Sequence, residues 1–480
     1  MVLPREEGEG VREGGSPVRT HLLAAIGMIG ACTFGAHTAN ASVTSVVVDR
    51  NITFKGPGVH HYRYVEAMLN GSIDRPAPNA DGTYSVGMVL IFPTKGGNGV
   101  GVVDWPNSVF YSRYGYQPRE DMTIQFTQLT ADGYLFERGY TYASVQWNKE
   151  VTELFGSTIP PDLKKHNRLV YGTIQQGPDA WEILRDAARF LKNPTAWPGR
   201  DGPAPVQYVL SSGFSQSASL QNEFVSQGQN LGTYDGFLAQ MIGLVCWERN
   251  NTPPGYGDLT SCDAFPNPGR GKMMVLATES DMQIFFGVSS RGDGTIPNYI
   301  QYELPGVSHL PTAVIDVSSF DATRQNPADV RPFVRGAFRN LKDWVKYNVA
   351  PPPAVPMEGA VDAAGNFIPD RDADGNALGG IRLPHMPTTL DPSGLPAGAP
   401  LGAYGGIEPA GLPANVFLIL GGTFDPFSAE QLEERYPNRT DKVLINRAAD
   451  QLFDQGYIIE ADLQEYKRTR RPLRLQPTPR

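Results

Sequence analysis

A serine that could act as a nucleophile follows a short apolar run near the middle of the chain. The segment Gly213-Phe214-Ser215-Gln216-Ser217 closely follows residues 206–210, which are rich in β-branched and aromatic side chains. We expect a strand, a sharp turn and a helix here, the setting that holds a serine hydroxyl exposed at a strand end. The segment departs from the pattern G-x-S-x-G only at Ser217, which is small enough to let strand and helix approach.

A serine hydroxyl needs a general base within hydrogen-bond reach, and the base needs a carboxylate to fix its tautomer. His309 is the candidate base, because it lies on the loop that follows the predicted strand 299–304. Two candidate acids, Glu279 and Asp281, follow the predicted strand 272–278. In an extended segment they would point the same way. Both therefore stay open, and Asp281 is favoured because it lies slightly farther past the strand.

The negative oxygen of a tetrahedral intermediate needs two N–H donors. The residue after the nucleophile, Gln216, is expected to supply one. The other is expected from the loop that follows the predicted strand 99–105. Pro106 has no N–H, so the candidates there are Asn107 and Ser108.

Three aromatic residues follow strands that should end near Ser215. Trp105, Trp147 and Phe285 could wall an apolar pocket for an acyl or aromatic group, or they could pack in the core. No arginine cluster suited to a phosphorylated or polyanionic substrate is present.

The N-terminus resembles an export signal. Arg12 and Arg19 precede an apolar stretch at residues 21–36, and a small-x-small cleavage pattern ends at Ala41. We therefore predict a signal peptide over residues 1–41 and a secreted or periplasmic protein. The stretch is too short and glycine-rich for a stable membrane span. The alternatives are a lipoprotein anchored through Cys32 and an uncleaved helical anchor.

Removal of residues 1–41 would leave two cysteines, Cys246 and Cys262. An even count in an exported chain favours a disulfide, which would stiffen the intervening Pro- and Gly-rich loop as a cap over the site. Two separate buried thiols are the alternative.

Composition and motifs exclude several classes of function. With 480 residues, 40% of them hydrophobic, the chain can bury a sizeable core, and its net charge of -9 without a basic run argues against nucleic acid as a partner. The histidines are scattered, and no C-x-x-C or H-E-x-x-H motif occurs, so we expect no metal and no cofactor. Residues 370–375 imitate the start of a calcium loop, but Ile381 stands where a bidentate glutamate is required.

Apolar runs alternate with helical or loop segments in the order typical of a mostly parallel sheet in the α/β class. Helices are predicted from Pro178 onward, over residues 330–347 and over residues 442–454, and residues 351–412 are dense in proline and glycine. The predicted strands are residues 43–48, 62–68, 86–92, 99–105, 140–147, 206–210, 236–245, 272–278 and 299–304.

The chain order serine, acid, histidine and the elbow resemble the alpha/beta-hydrolase superfamily. Within it, the chain resembles alpha/beta hydrolase domain proteins whose elbow is G-x-S-Q-S-G. Further segments that carry the resemblance are residues 98–100, 105–107, 181–186, 278–281, 306–309, 374–384 and 457–462. The resemblance implies an alpha/beta-hydrolase fold with helices on both faces of the sheet and long insertions. It also implies one elaborated domain over residues 42–480, in which residues 351–480 form a loop-rich extension.

The resemblance supports a reaction class and leaves the substrate open. We expect an exported serine hydrolase that cleaves a small-molecule carboxylic ester through a Ser-His-Asp/Glu triad and an acyl-enzyme. An acyltransferase or lactonase on the same residues, and a catalytically silent protein that binds a ligand, are the alternatives. The oligomeric state is open.

Overall fold

The protein is described from a computed structural model. The described residues are 42–55, 60–73, 82–105, 133–145, 178–243, 245–247, 259–261, 271–284, 291, 296–310, 325–363, 366–386, 398–407 and 416–468. All of them belong to one compact unit, Asn40–Arg480. The predicted signal peptide, with Cys32, lies outside the described residues.

The described segments contain strands of very different length, from three to fourteen residues. In chain order they are β1 (Ser42–Lys55), β2 (His61–Ser72), β3 (Thr83–Pro93), β4 (Val100–Trp105), β5 (Thr141–Val145), β6 (Tyr208–Phe214), β7 (Gly236–Gln240), β8 (Val245–Trp247), β9 (Leu259–Ser261), β10 (Lys272–Thr278), β11 (Tyr299–Leu304), β12 (Gly359–Val361), β13 (Phe367–Pro369), β14 (Gly402–Gly405) and β15 (Thr423–Pro426).

Nine of these strands form the central sheet, in the order β1-β2-β3-β5-β4-β6-β7-β10-β11. Pairing is antiparallel from β1 through β3 to β5 and parallel from β5 to β11. The sheet is therefore mostly parallel, as the sequence predicted. Because β4, β6, β7, β10 and β11 run the same way, the loops that follow them leave from one edge of the sheet.

The helices lie between and after the strands. They are α1 (Tyr134–Glu137), α2 (Pro178–Lys192), α3 (Gln216–Ser226), α4 (Glu279–Ile284), α5 (Arg331–Tyr347), α6 (Val416–Gly421), α7 (Ala429–Arg435), α8 (Thr440–Asp454) and α9 (Glu460–Arg468), with one 3₁₀ turn at Pro437–Arg439. The helices predicted from Pro178 onward and over residues 330–347 and 442–454 correspond to α2, α5 and α8, and the helix expected after Ser215 is α3. None of the described helices is long and apolar enough to cross a membrane.

Helices cover both faces of the sheet. Neighbouring residues of each strand point to opposite sides and pack with different helices. On β6, Val209 packs with the buried side chains of α2 and α3, whereas Leu210 packs with those of α5. Phe237 and Leu238 divide in the same way on β7. This explains the nearly continuous apolar runs of the central strands, which have no solvent-facing side.

Several predicted strands differ from the observed ones at their ends, and one of them spans a break in the extended conformation. We expected a single strand over residues 236–245, but β7 ends at Gln240, and the next residue, Met241, has a positive φ of 54°. The Met241 N–H still donates to the Leu276 carbonyl of β10 at 2.8 Å, and the positive φ of Met241 then ends the extended conformation. Val245 instead begins β8, which pairs with β9 in a separate antiparallel hairpin.

The C-terminal extension packs on the same face as α5. A Cβ at Gly336 would lie 1.9 Å from the carbonyl oxygen of Tyr457, so only glycine lets the two segments approach this closely. An ion pair between Arg335 and Asp462, 2.5 Å long, reinforces the contact. Leu452, Ile458 and Leu463 complete a shared apolar core with α5.

Candidate active site

Ser215 stands at the sharp turn between β6 and α3, as predicted. Its φ of 53° and ψ of -115° are strained for a residue with a Cβ. The turn is held by the Ser215 N–H, which donates to the Gln240 carbonyl at 2.9 Å. Gly213 permits the tight packing, since a Cβ there would lie 2.9 Å from the carbonyl oxygen of Ser217. Ser215 itself is partly exposed, and Phe214 and Ser217 are buried.

The fifth residue of the elbow, Ser217, makes two hydrogen bonds that a glycine could not make. Its hydroxyl accepts from the Phe214 N–H at 2.8 Å and donates to the Phe214 carbonyl at 2.9 Å. Ser217 is fully buried. The departure from the G-x-S-x-G pattern therefore adds a side-chain clamp across the strained residue.

His309 reaches Ser215 from the loop that follows β11. Its Nε2 lies 2.8 Å from the Ser215 Oγ, and its Nδ1 lies 2.6 Å from Oδ1 of Asp281. The imidazole is 2% exposed and packs at a tilt against the Phe214 ring, with centroids 5.5 Å apart. Serine, histidine and aspartate thus form one continuous hydrogen-bonded chain.

Asp281 is held by the residue that precedes α4. Its Oδ2 accepts from both the N–H and the hydroxyl of Thr278, each at 2.7 Å. The Asp281 N–H points back to the Thr278 Oγ at 3.3 Å, so the two residues cap the start of α4 reciprocally. The remaining oxygen, Oδ1, faces the imidazole.

Glu279, the other predicted acid, does not reach His309. Its Oε2 accepts from the Gly306 N–H at 2.8 Å, and its Oε1 accepts from the Gly406 N–H at 3.1 Å and from Arg371 at 2.5 Å. The expectation that both carboxylates point the same way fails because α4 begins at Glu279. Side chains two residues apart point in directions that differ by about 200° around a helix axis, whereas in a strand they point to the same side. The capping pattern of Thr278 with Asp281 is the sequence signal that predicts this helix start.

The predicted oxyanion donors are only partly described. Gln216 is the first residue of α3, so its N–H is not part of the helix's own hydrogen-bond ladder. Asn107 lies outside the described residues, and the second donor stays a prediction.

The aromatic residues predicted to wall a pocket divide in two groups. Trp105 packs in the core, the alternative left open for it, and does not wall a pocket: it is fully buried, lies edge-on to Phe224 at 5.3 Å, and its Nε1 donates to the Tyr234 hydroxyl at 3.3 Å. Trp147 and Phe285 lie outside the described residues. So does Cys262, and of Cys246 only the backbone in β8 is described, which leaves the disulfide a prediction.

A buried carboxyl that the sequence analysis did not single out lies near the elbow. Asp104, on β4, accepts from the Tyr142 hydroxyl at 2.8 Å. Burial raises its pKa to about 7, although hydrogen bonds from Tyr142 and Ser212 oppose the shift. Ser212 in turn accepts from the Gln240 side chain at 2.8 Å, and the Gln240 carbonyl holds the Ser215 N–H. A charged residue inside the apolar run of β4 was the available sequence signal.

No group of three or more His, Cys, Asp or Glu side chains among the described residues is arranged to hold a metal ion. In the calcium-like segment, Asp372 accepts from the N–H groups of Asp374 and Asn376, each at 2.9 Å. Asp374 forms an ion pair with Arg435. These carboxylates stabilise a turn and an ion pair of the extension.

The sequence model of the family described as alpha/beta hydrolase domain matches residues 71–468. The chain belongs to this family. The matched residues include the elbow, the two other members of the hydrogen-bonded chain and most of the C-terminal extension. No curated protein shows significant sequence similarity to this alpha/beta hydrolase.

Solved structures that are similar to this alpha/beta hydrolase include three esterases. The esterase Est1E from Butyrivibrio proteoclasticus is 9% identical, over 54% of this chain and 96% of that chain, with a TM-score of 0.29. A cold-adapted esterase from an Arctic intertidal metagenomic library is 12% identical, over 52% and 86%, with a TM-score of 0.28. A methylesterase is 11% identical, over 64% and 58%, with a TM-score of 0.31.

The clamp made by Ser217 can be tested by removing its hydroxyl. In the Ser217→Ala variant, both bonds to Phe214 are lost in a buried site, and we expect the free energy of unfolding to fall by about 1–3 kcal/mol. Urea denaturation measures this change. Ser226→Ala is the matched control on the same helix, because the buried Ser226 hydroxyl makes no hydrogen bond with any described residue. Equal stability of the two variants would contradict the clamp.

The raised pKa of Asp104 predicts how stability depends on pH. Between the ordinary aspartate pKa of 3.8 and about 7, the folded protein binds a proton that the unfolded chain releases, so stability falls as the pH rises through this window. In Asp104→Asn this loss is absent. The variant should therefore gain about 2–3 kcal/mol relative to the unsubstituted protein between about pH 5 and about pH 8.

Thermal unfolding at the two pH values measures this gain. Asp370→Asn, at an exposed aspartate of the extension, is the control and should show the same difference at both. A gain for Asp104→Asn that does not change with pH would mean that Asp104 is ionised in the folded protein.

Proposed function

We propose that this alpha/beta hydrolase is an exported serine hydrolase that cleaves carboxylic esters through an acyl-enzyme. The observation that carries the proposal is the chain of two hydrogen bonds, 2.6 and 2.8 Å long, that joins Asp281, His309 and Ser215. The strained backbone of Ser215 supports it, because strain of this kind persists at functional sites. Membership of the family supports the same reaction class.

In the first step the Ser215 Oγ attacks the ester carbonyl, and His309 Nε2 takes the hydroxyl proton. The carbonyl oxygen becomes negative, and the N–H of Gln216 is the proposed first donor to it; Asn107 is the proposed second donor. The intermediate collapses with loss of the alcohol, which receives the proton from His309. Water then repeats the sequence on the acyl-enzyme, releases the acid and restores Ser215.

Asp281 holds the imidazole in the tautomer that this mechanism requires. With Oδ1 facing Nδ1, the proton of neutral His309 lies on Nδ1, and Nε2 keeps the lone pair that accepts the serine proton. The carboxylate also stabilises the imidazolium that forms during the attack. Asp281 and His309 are both buried, which strengthens this interaction.

Export is a separate part of the proposal. The basic residues, the apolar stretch and the small-x-small pattern of residues 1–41 support a cleaved signal peptide and a secreted or periplasmic enzyme. In an oxidising compartment, a disulfide between Cys246 and Cys262 would be stable.

Ser215→Ala tests the nucleophile. The variant lacks the attacking oxygen, so turnover of a short p-nitrophenyl ester should fall by about 10⁴-fold or more. A fluorophosphonate probe should add mass to the unsubstituted enzyme and not to the variant. Ser226→Ala, on the same helix, should retain both turnover and labelling. Normal turnover by Ser215→Ala, or an unsubstituted protein that neither turns over esters nor takes the probe, would refute the proposal.

Asp281→Asn tests the acid. Thr278 offers two donors to Oδ2, so the asparagine oxygen should occupy that position and the amide NH₂ should face His309 Nδ1. The proton of His309 is then forced onto Nε2, which can no longer accept from Ser215. We expect kcat to fall by about 10³- to 10⁴-fold, with little change in stability. A kcat within a few-fold of the unsubstituted enzyme would exclude Asp281 from the mechanism.

A further inference from the structure

The Glu279 carboxylate is fully buried and joins two distant parts of the chain. One oxygen accepts from the N–H of Gly306, which begins the loop that carries His309. The other accepts from Arg371 at 2.5 Å and from the Gly406 N–H at 3.1 Å, both of which belong to the C-terminal extension. A carboxylate is costly to bury unless its oxygens are paired, so all three donors matter to its placement.

Gly306, at the start of the loop that carries His309, is held through both its N–H and its carbonyl. Gly306 has a φ of +67°, and a Cβ there would lie 1.9 Å from the Met386 side chain. Its carbonyl accepts from the Asn326 side-chain amide at 2.9 Å, and the same amide donates to the Gly405 carbonyl at 3.1 Å. The extension therefore meets this loop directly at Met386, and indirectly through Glu279 and Asn326.

Ser280, which lies between Glu279 and Asp281, also joins the extension to the loop that carries His309. The Ser280 hydroxyl donates to the Gly406 carbonyl and accepts from the His309 N–H, the latter at 2.9 Å. Three successive residues thus touch the extension, the backbone of His309 and its imidazole. A displacement of the extension at Gly406 would be transmitted to the imidazole over two hydrogen bonds.

We propose that Glu279 and Arg371 form a latch through which the C-terminal extension positions His309 for catalysis. The proposal rests on the function proposed above. Glu279 and Arg371 are positioning residues in it, because neither touches the reacting atoms. The Arg371 guanidinium is itself oriented, since its other nitrogen donates to the Gly375 carbonyl at 2.9 Å.

Arg371 is the better of the two residues for a test. In Glu279→Gln, either orientation of the amide places an NH₂ group against a donor, because N–H donors face both oxygens. That variant would lose the ion pair with Arg371 and also place two N–H donors against each other, so a loss of activity could not be assigned to the ion pair alone. The Arg371 side chain is 34% exposed, so a methionine of similar length can replace it with less disturbance of the core.

We expect Arg371→Met to lower kcat about 10- to 100-fold, as small misplacements of catalytic groups do, with KM changed by no more than about twofold. The low-field proton resonance of the bond between His309 and Asp281 should shift or broaden. Arg371→Lys keeps the charge but cannot hold both Glu279 and Gly375, so its kcat should lie between those of Arg371→Met and the unsubstituted enzyme.

The control is Arg435→Met. This substitution removes an ion pair of the same extension, between Arg435 and Asp374, that does not touch residues 279–281 or Gly306. It should leave both kcat and the low-field resonance unchanged. If Arg371→Met does not fold, Arg371→Lys carries the comparison with the control.

The outcome separates this inference from the proposed function. If the unsubstituted enzyme turns over esters and Arg371→Met behaves as Arg435→Met does in kcat and in the low-field resonance, the latch is refuted and the hydrolase mechanism stands. If the unsubstituted protein has no activity, the function fails, and the low-field resonance alone still decides whether Arg371 positions the imidazole.

Discussion

The hydrogen-bonded chain from Asp281 through His309 to Ser215 requires three loops to meet at one edge of the sheet. The parallel register of β6, β7, β10 and β11 brings these loops to the same edge. Register alone places backbone to within a few ångströms, whereas a hydrogen bond of 2.6–2.8 Å needs finer control. The additional bonds around the site supply this control: those of Thr278 and Ser217 fix the conformation of a single segment, and those of Glu279 and Ser280 fix one segment relative to another.

The parts of the site that follow from local sequence could be predicted. The strand, turn and helix around Ser215 are contiguous, and the position of His309 after an apolar run needs only the knowledge that the run is a strand. Residue identity also predicted most of the sheet, because buried parallel strands are apolar throughout. The boundary errors occur where backbone conformation changes within a few residues, as at Met241, whose positive φ no side-chain pattern indicates.

Which of the two carboxylates faces His309 depends on whether the chain after β10 is extended or helical. Glu279 and Asp281 are equivalent in an extended segment and opposed in a helical one. Thr278, with a hydroxyl that accepts from the Asp281 N–H, decides for the helix. For Trp105 the sequence predicted a position at a strand end, but not the face of the sheet on which the side chain lies. That face depends on packing against Phe224 and Tyr234.

The extension had no predicted role beyond covering the domain, since residues dense in proline and glycine give no periodic signal. Its hydrogen bonds with the side chains of Glu279, Ser280 and Asn326 use backbone groups of Gly405 and Gly406 and a single arginine, none of which a motif search would select. Loops without regular structure can hold a site when their polar groups are fully paired. Here the pairing partners are Glu279, Ser280 and Asn326: Ser280 accepts from the His309 N–H, and the other two bond to Gly306, three residues before it. The extension therefore belongs to the architecture of the site as much as the strands that carry the reacting groups.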